Sequence, residues 1–253
     1  MKWTIEHGMS VRRTGSGPEL VWIHGLGESS TSFEPAVAEL GEFSHVLVDL
    51  PGYGRSAWPS EPLGLDALAD HLAAWLPPSA IVIGHSMGGV LATLIAERGA
   101  AKAIVNIDGN ISRGDCTFSA QAIAWSEADF VHHGFAELRG RVYEDGVADA
   151  PLRGYAAAMT FASPRMFYRH ASDLVALSLT ESMAPRLAAL RVPALFIAGV
   201  PNGICEASRA LLDRHGARWV GIEPAGHWVY LDQRERFAAT IRELSTSALS
   251  SRA

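Results

Sequence analysis

Two cysteines among 253 residues are too few for a disulfide framework, and neither Cys116 nor Cys205 stands in a CxxC or in a Cys/His cluster with metal-ligand spacing. Both are expected as free thiols, no metal is expected, and the adjacent His132 and His133 read as a solvated pair. An excess of positive charge is also missing. The formal net charge is -6 and there is no basic stripe, which disfavours nucleic acid as a partner. The first residues, MKWTIEHGMSVRR, alternate apolar with charged side chains and lack the continuous apolar core of a secretory signal, so the cytoplasm is the expected compartment. No internal repeat and no low-complexity segment occurs, apart from a small polar tail, STSALSSRA, expected to fray.

One stretch lacks charge over a length that could cross a bilayer: residues 73–96, AAWLPPSAIVIGHSMGGVLATLIA. Pro77 and Pro78, then Gly84, His85, Ser86, Gly88 and Gly89, divide it into pieces that suit a buried strand, a tight turn and a buried helix. No membrane span is expected.

What is present is an ordinary globular balance, 48% apolar and 19% charged, in an alternating order of elements. KWTIEH and MSVRRT read as strands joined through Gly8, followed by strand patterns at LVWIH, HVLVDL, AIVIG and AKAIVNID, with helical spacing at 65–76 and 87–99. Short, wholly apolar strands between helices signal a mostly parallel sheet covered on both faces. Between Gly109 and Arg191 only helical patterns occur, and VPALFIAG, ARWVGIE and a last helix then resume the alternation. The expectation is an α/β core made of residues 1–108 and 192–253, with a helical cap, 109–191, inserted after the sixth strand.

The chemistry begins at GHSMGG, residues 84–89, a Gly-x-Ser-x-Gly between a strand and a helix. Glycines on either side allow strand and helix backbones to pass closely, and the helix N-terminus offers free N–H groups where negative charge would develop. With HGLGESS at 24–30, VDLPGYGRS at 48–56 and AGHWVYLDQRERF at 225–237, in this order, the chain resembles the α/β-hydrolase superfamily nearly end to end. The resemblance implies Ser86 as nucleophile, His227 as general base, and backbone N–H groups of Leu26 and Met87 as the oxyanion hole. It gives His24, His85 and Asp49 supporting places in loops, and it implies no cofactor.

The resemblance also implies an acid after the seventh strand, in a Gly-x-x-Asp turn, but here that turn is Gly199-Val200-Pro201-Asn202. An amide orients an imidazole without stabilising its cation, at a cost of about 10⁴ in kcat in serine triads. Another carboxylate is required. Asp108, ending the strand next to that of Ser86 and on the same sheet edge, is the first candidate, with Asp115 and Glu206 as alternatives.

A serine nucleophile leaves acyl transfer to water, and the expectation is a cofactor-free carboxylic ester hydrolase working through an acyl-enzyme on a small apolar acyl substrate. Trp125, Phe130, Tyr155, Phe161 and Trp228 are the expected substrate-contacting residues, while most aromatics of the cap are expected to pack its own core. Hydrolysis of a carbon–carbon bond and cofactor-free haloperoxidase chemistry are the alternatives in the same fold. A non-catalytic ligand-binding homologue is the alternative of another class.

Overall fold

The computed structural model describes residues 2–77 and 79–250. A two-residue hairpin opens the chain: His7 and Gly8, both at positive φ, close β1 (Lys2–Glu6) onto β2 (Met9–Gly15). β2 pairs antiparallel with β4 (Ser44–Asp49), and β3 (Glu19–Ile23), β5 (Ile81–His85), β6 (Ala103–Ile107), β7 (Ala194–Asn202) and β8 (Trp219–Gly226) continue in parallel pairing. The sheet order is β1-β2-β4-β3-β5-β6-β7-β8. The chain steps from β3 to β4 on one side and then to β5 on the other, and a crevice opens at the carboxyl ends of the strands at such a reversal. That crevice lies between the ends of β3 and β5.

Helices α1 (Glu34–Glu39), α2 (Leu65–Trp75) and α3 (Met87–Glu97) fall between the first strands. The chain between β6 and β7 is helical throughout its regular elements: α4 (Thr117–Ile123), α5 (Glu127–Asp129), a π-helical turn at Phe130–Gly134, α6 (Phe135–Asp145), α7 (Ala150–Met159), α8 (Pro164–Leu179) and α9 (Met183–Ala188). α10 (Glu206–His215), α11 (Val229–Asp232) and α12 (Arg234–Ser250) complete the fold. Residues 245–250 of the tail expected to fray thus belong to a helix, and 251–253 lie outside the described residues. Within the inserted segment α4 packs on α8 and α6 on α7, whereas α9 leans on α3 and α10 of the sheet region.

The uncharged stretch 73–96 resolves into the end of α2, the wholly buried strand β5 and α3, where every residue from Met87 to Ala96 is buried. Among the described residues no helix is long and apolar enough to cross a membrane. Burial on all sides, by the neighbouring strands and helices, removes the need for charge here.

Candidate active site

Ser86 links β5 to α3 at φ 53 and ψ -119, a conformation that costs free energy outside glycine. The surroundings hold it there. The Ser86 N–H donates to Ile107 O at 2.7 Å, and Gly89 and Val90 N–H return to Ser86 O at 2.9 and 3.2 Å. A Cβ on Gly84 would stand 1.9 Å from Gly88 O, and one on Gly88 would stand 2.1 Å from Ile23 O. Both glycines of the motif are therefore demanded by backbone contact. Met87 follows as the first residue of α3, whose opening N–H groups have no partner inside the helix.

Asp108 follows directly on β6, also at positive φ (46), and its own N–H donates to Ile197 O at 3.0 Å. Its fully buried carboxylate accepts the Gly199 N–H at 3.2 Å and the Ile204 N–H at 3.3 Å, and Oδ2 lies 3.8 Å from His227 Nδ1. Burial pushes this carboxyl well above the usual range, with the two N–H donors opposing. The turn after β7 makes room for it: a Cβ on Gly203 would meet Asp108 Oδ2 at 2.4 Å. Asn202, at the position expected for an acid, is exposed on the rim and pairs in register with Gly226, the residue before His227.

The alternative acids are placed otherwise. Asp115 is committed to Ile111 N–H, Ser112 N–H, Cys205 N–H and Ser208 Oγ, at 2.6 to 3.1 Å, and forms a capping box with Ser112. Glu206 is an exposed first-turn residue of α10. His227 keeps 30% of its side chain accessible, and burial together with the nearby His85 holds its imidazole well below the ordinary value, Glu28 opposing. These influences favour the uncharged imidazole.

A cavity of about 290 Å³ joins these groups; Leu26, Ser86, Asp108, Asn202 and His227 all border it. Of the aromatic residues expected to touch substrate, Tyr155 and Trp228 line this space, their rings 5.7 Å apart, and Phe118 and Leu174 contribute apolar wall that the sequence did not single out. The other three lie elsewhere. Phe130 is wholly buried against Phe135, Phe167 and Tyr168 inside the inserted helices, and Trp125 packs at Gly134 with its carbonyl accepting from Tyr168 Oη. Phe161 is 62% exposed, bordering a separate cleft with Arg55 and Ala158. Aromatic content alone does not say which face each ring takes.

The supporting histidine and aspartate loops are as read from the sequence. His24 Nε2 accepts the Leu50 N–H at 3.0 Å, and Asp49 accepts Ser30 and Arg55 N–H groups at 2.7 and 2.9 Å. His132 and His133 are exposed, and among the described residues no group of three His, Cys, Asp or Glu side chains could hold a metal ion. Glu28, by contrast, was not singled out. Buried at 2% exposure, it accepts the Gly25 N–H at 2.7 Å, the Trp228 Nε1–H at 2.6 Å and a hydrogen bond from His85 Nδ1 at 2.9 Å. Burial pushes its carboxyl up, but His85 and the other donors outweigh this and hold it at about 2. Only the E of HGLGESS could have signalled it, since its side-chain partners lie 57 and 200 residues away.

Residues 20–240 match the family described as the alpha/beta hydrolase family. Curated relatives include the pimeloyl-[acyl-carrier protein] methyl ester esterase of Shewanella woodyi, 41% identical over 96 residues, which are 37% of this chain and 36% of that protein. The protein of the same name from Stenotrophomonas maltophilia is 42% identical over 85 residues, 33% of this chain and 32% of its own. The chain thus spans only part of the length of these relatives. Among solved structures, a hydrolase from Pseudomonas aeruginosa PA01 superposes with a TM-score of 0.76 at 18% identity, covering 96% of this chain and 97% of that one. A thermophilic esterase from Thermogutta terrifontis gives 0.74 at 22% identity, covering 95% and 93%. Both likenesses concern the fold.

Proposed function

The chain belongs to the alpha/beta hydrolase family, and from that premise we propose that it is a cofactor-free serine hydrolase of carboxylic esters. The observation that carries the proposal is the strained Ser86, opening on a cavity that it shares with a partly exposed, neutral His227 and the buried Asp108. In this reading His227 accepts the Ser86 hydroxyl proton as Oγ attacks the ester carbonyl, and the Leu26 and Met87 N–H groups receive the developing oxyanion. The carbonyl re-forms as the C–O bond to the alcohol breaks and His227 returns the proton to the leaving oxygen. Water then repeats the sequence on the acyl-enzyme, releasing the acid and restoring Ser86. Asp108 orients Nδ1 and offsets the imidazolium.

The substrate we infer is a small neutral acyl ester. Among the described residues no lysine or arginine lines the cavity, whose wall carries Glu28, Asp108 and Asp115, so a free carboxylate on the buried part of a substrate would find no lysine or arginine to pair with. The cavity of about 290 Å³, at the low end for small-molecule sites, suits a short acyl chain. Relatives named as methyl ester esterases favour a small alcohol on the ester. The inserted helices, residues 109–191 of the expected cap, act as a lid in this reading, since Phe118, Tyr155 and Leu174 reach the cavity from them. The free thiols of Cys116 and Cys205 favour the cytoplasm as its compartment.

Turnover of p-nitrophenyl esters of increasing acyl length tests the proposal. Wild type is expected to show a burst and a preference for short acyl groups, and Ser86→Ala to show neither. Absence of turnover across the whole series in folded wild type would defeat it.

A further inference from the structure

His85 immediately precedes the proposed nucleophile, and both its ring nitrogens face acceptors. Nδ1 meets Glu28 Oε2 at 2.9 Å, and Nε2 meets the backbone carbonyl of His227 at 3.0 Å. A neutral imidazole donates from one nitrogen only; satisfying a carboxylate and a carbonyl together takes a proton on each. Glu28 supports this, because its two oxygens already accept the obligatory donors Gly25 N–H and Trp228 Nε1–H, and a carboxyl accepts at every position only when ionised. Both side chains are almost wholly inaccessible, 1% and 3%, where an uncompensated charge would be costly.

We propose that Glu28 and His85 form a buried ion pair that positions His227 and opposes a second cation there. The inference rests on the esterase reading above and adds a second carboxylate–histidine unit to it. Glu28 ties the loop after β3 to Trp228, and His85 ties the end of β5 to the His227 backbone, so three loops of the site share one charge pair. The His85 and His227 rings are 4.6 Å apart, and a cation at that distance opposes a second one on His227. The other titratable groups around the pair are His24 on the β3 side, Tyr230 beyond His227, whose ring meets that of His85 edge-on at 5.2 Å, and Tyr155 from α7. The pair is a positioning device, not a proton donor to substrate.

Side-chain ¹⁵N NMR of wild type with labelled histidine reads the pair directly. At pH 7 His85 is expected to carry protons on both ring nitrogens and His227 on one, and in Glu28→Gln the His85 ring is expected to lose one. A singly protonated His85 in wild type, with the shared proton on Glu28, would overturn the ion pair whatever the catalytic outcome. On an ester that wild type hydrolyses, His85→Gln removes the neighbouring cation, and the acid limb of kcat/KM is expected to rise by about half a pH unit or more. An unmoved acid limb would overturn the control of His227. Failure of wild type to hydrolyse any ester would sink the esterase reading, while the protonation states seen by NMR would still decide for or against the pair.

Discussion

At the scale of single residues, the acid is the telling case. The absence of a carboxylate from position 202 is visible in the sequence, and so is Asp108, the proposed replacement, after the adjacent strand. What the sequence hid is how the carboxylate is held. Gly199 and Ile204 donate to it, and Gly203 clears space for it, so the turn that lacks an acid of its own houses one from β6. Asp108→Asn is expected to lower kcat by about 10⁴, roughly 5 kcal/mol. Because burial raises the Asp108 carboxyl, its ionisation weakens the fold as pH rises above the ordinary carboxylate value. Thermal melts at pH 8 should therefore find Asp108→Asn no less stable than wild type; a markedly lower Tm would show that the carboxylate serves structure first. Glu28 was illegible for a related reason: a carboxylate's partners come from the fold, and nothing near position 28 names them.

At the scale of elements, β5, α3 and β6 were legible because largely apolar runs bounded by glycines have few other uses. The short α1 and the exposed α10 were not. α10 buries only Ser208, Leu211 and Leu212, too sparse a stripe to stand out, although Gly216 in the left-handed conformation marks its end. The two site-bearing turns are each fastened to the next strand, Ser86 N–H to Ile107 O and Asp108 N–H to Ile197 O. These amides are expected among the slowest to exchange in native-state hydrogen exchange, opening only with the whole sheet. Fast exchange at either would mean that the turn is held by something other than the ladder. Gly88→Ala should cost about 3 kcal/mol or more in denaturant unfolding, since its Cβ collides with the Ile23 carbonyl and not with a movable side chain.

At the scale of the molecule, proton linkage follows from buried imidazoles. Burial holds His170 at about 3, against an ordinary 6.5, and lowers His24 and His45 in the same direction. The unfolded chain binds protons that the folded one refuses, so stability is complete above pH 6.5 and falls as pH drops from 6.5 toward 3. His170, hydrogen-bonded to Tyr53 at 2.8 Å, fastens α8 to the loop after β4, and it contributes up to about 1.4 kcal/mol per pH unit in that window. Melts between pH 7 and pH 5 should decline more steeply for wild type than for His170→Gln, and equal slopes would assign the acid sensitivity to other groups. The place of the proposed acid, directly after β6, has a further consequence for how the site can change. Pro201 and Asn202, both exposed, border the cavity on the turn whose neighbours Gly199 and Ile204 donate to Asp108. On the proposed reading, a library randomised at Pro201 and Asn202 alone is expected to shift substrate preference while Ser86, His227 and Asp108 stay in place.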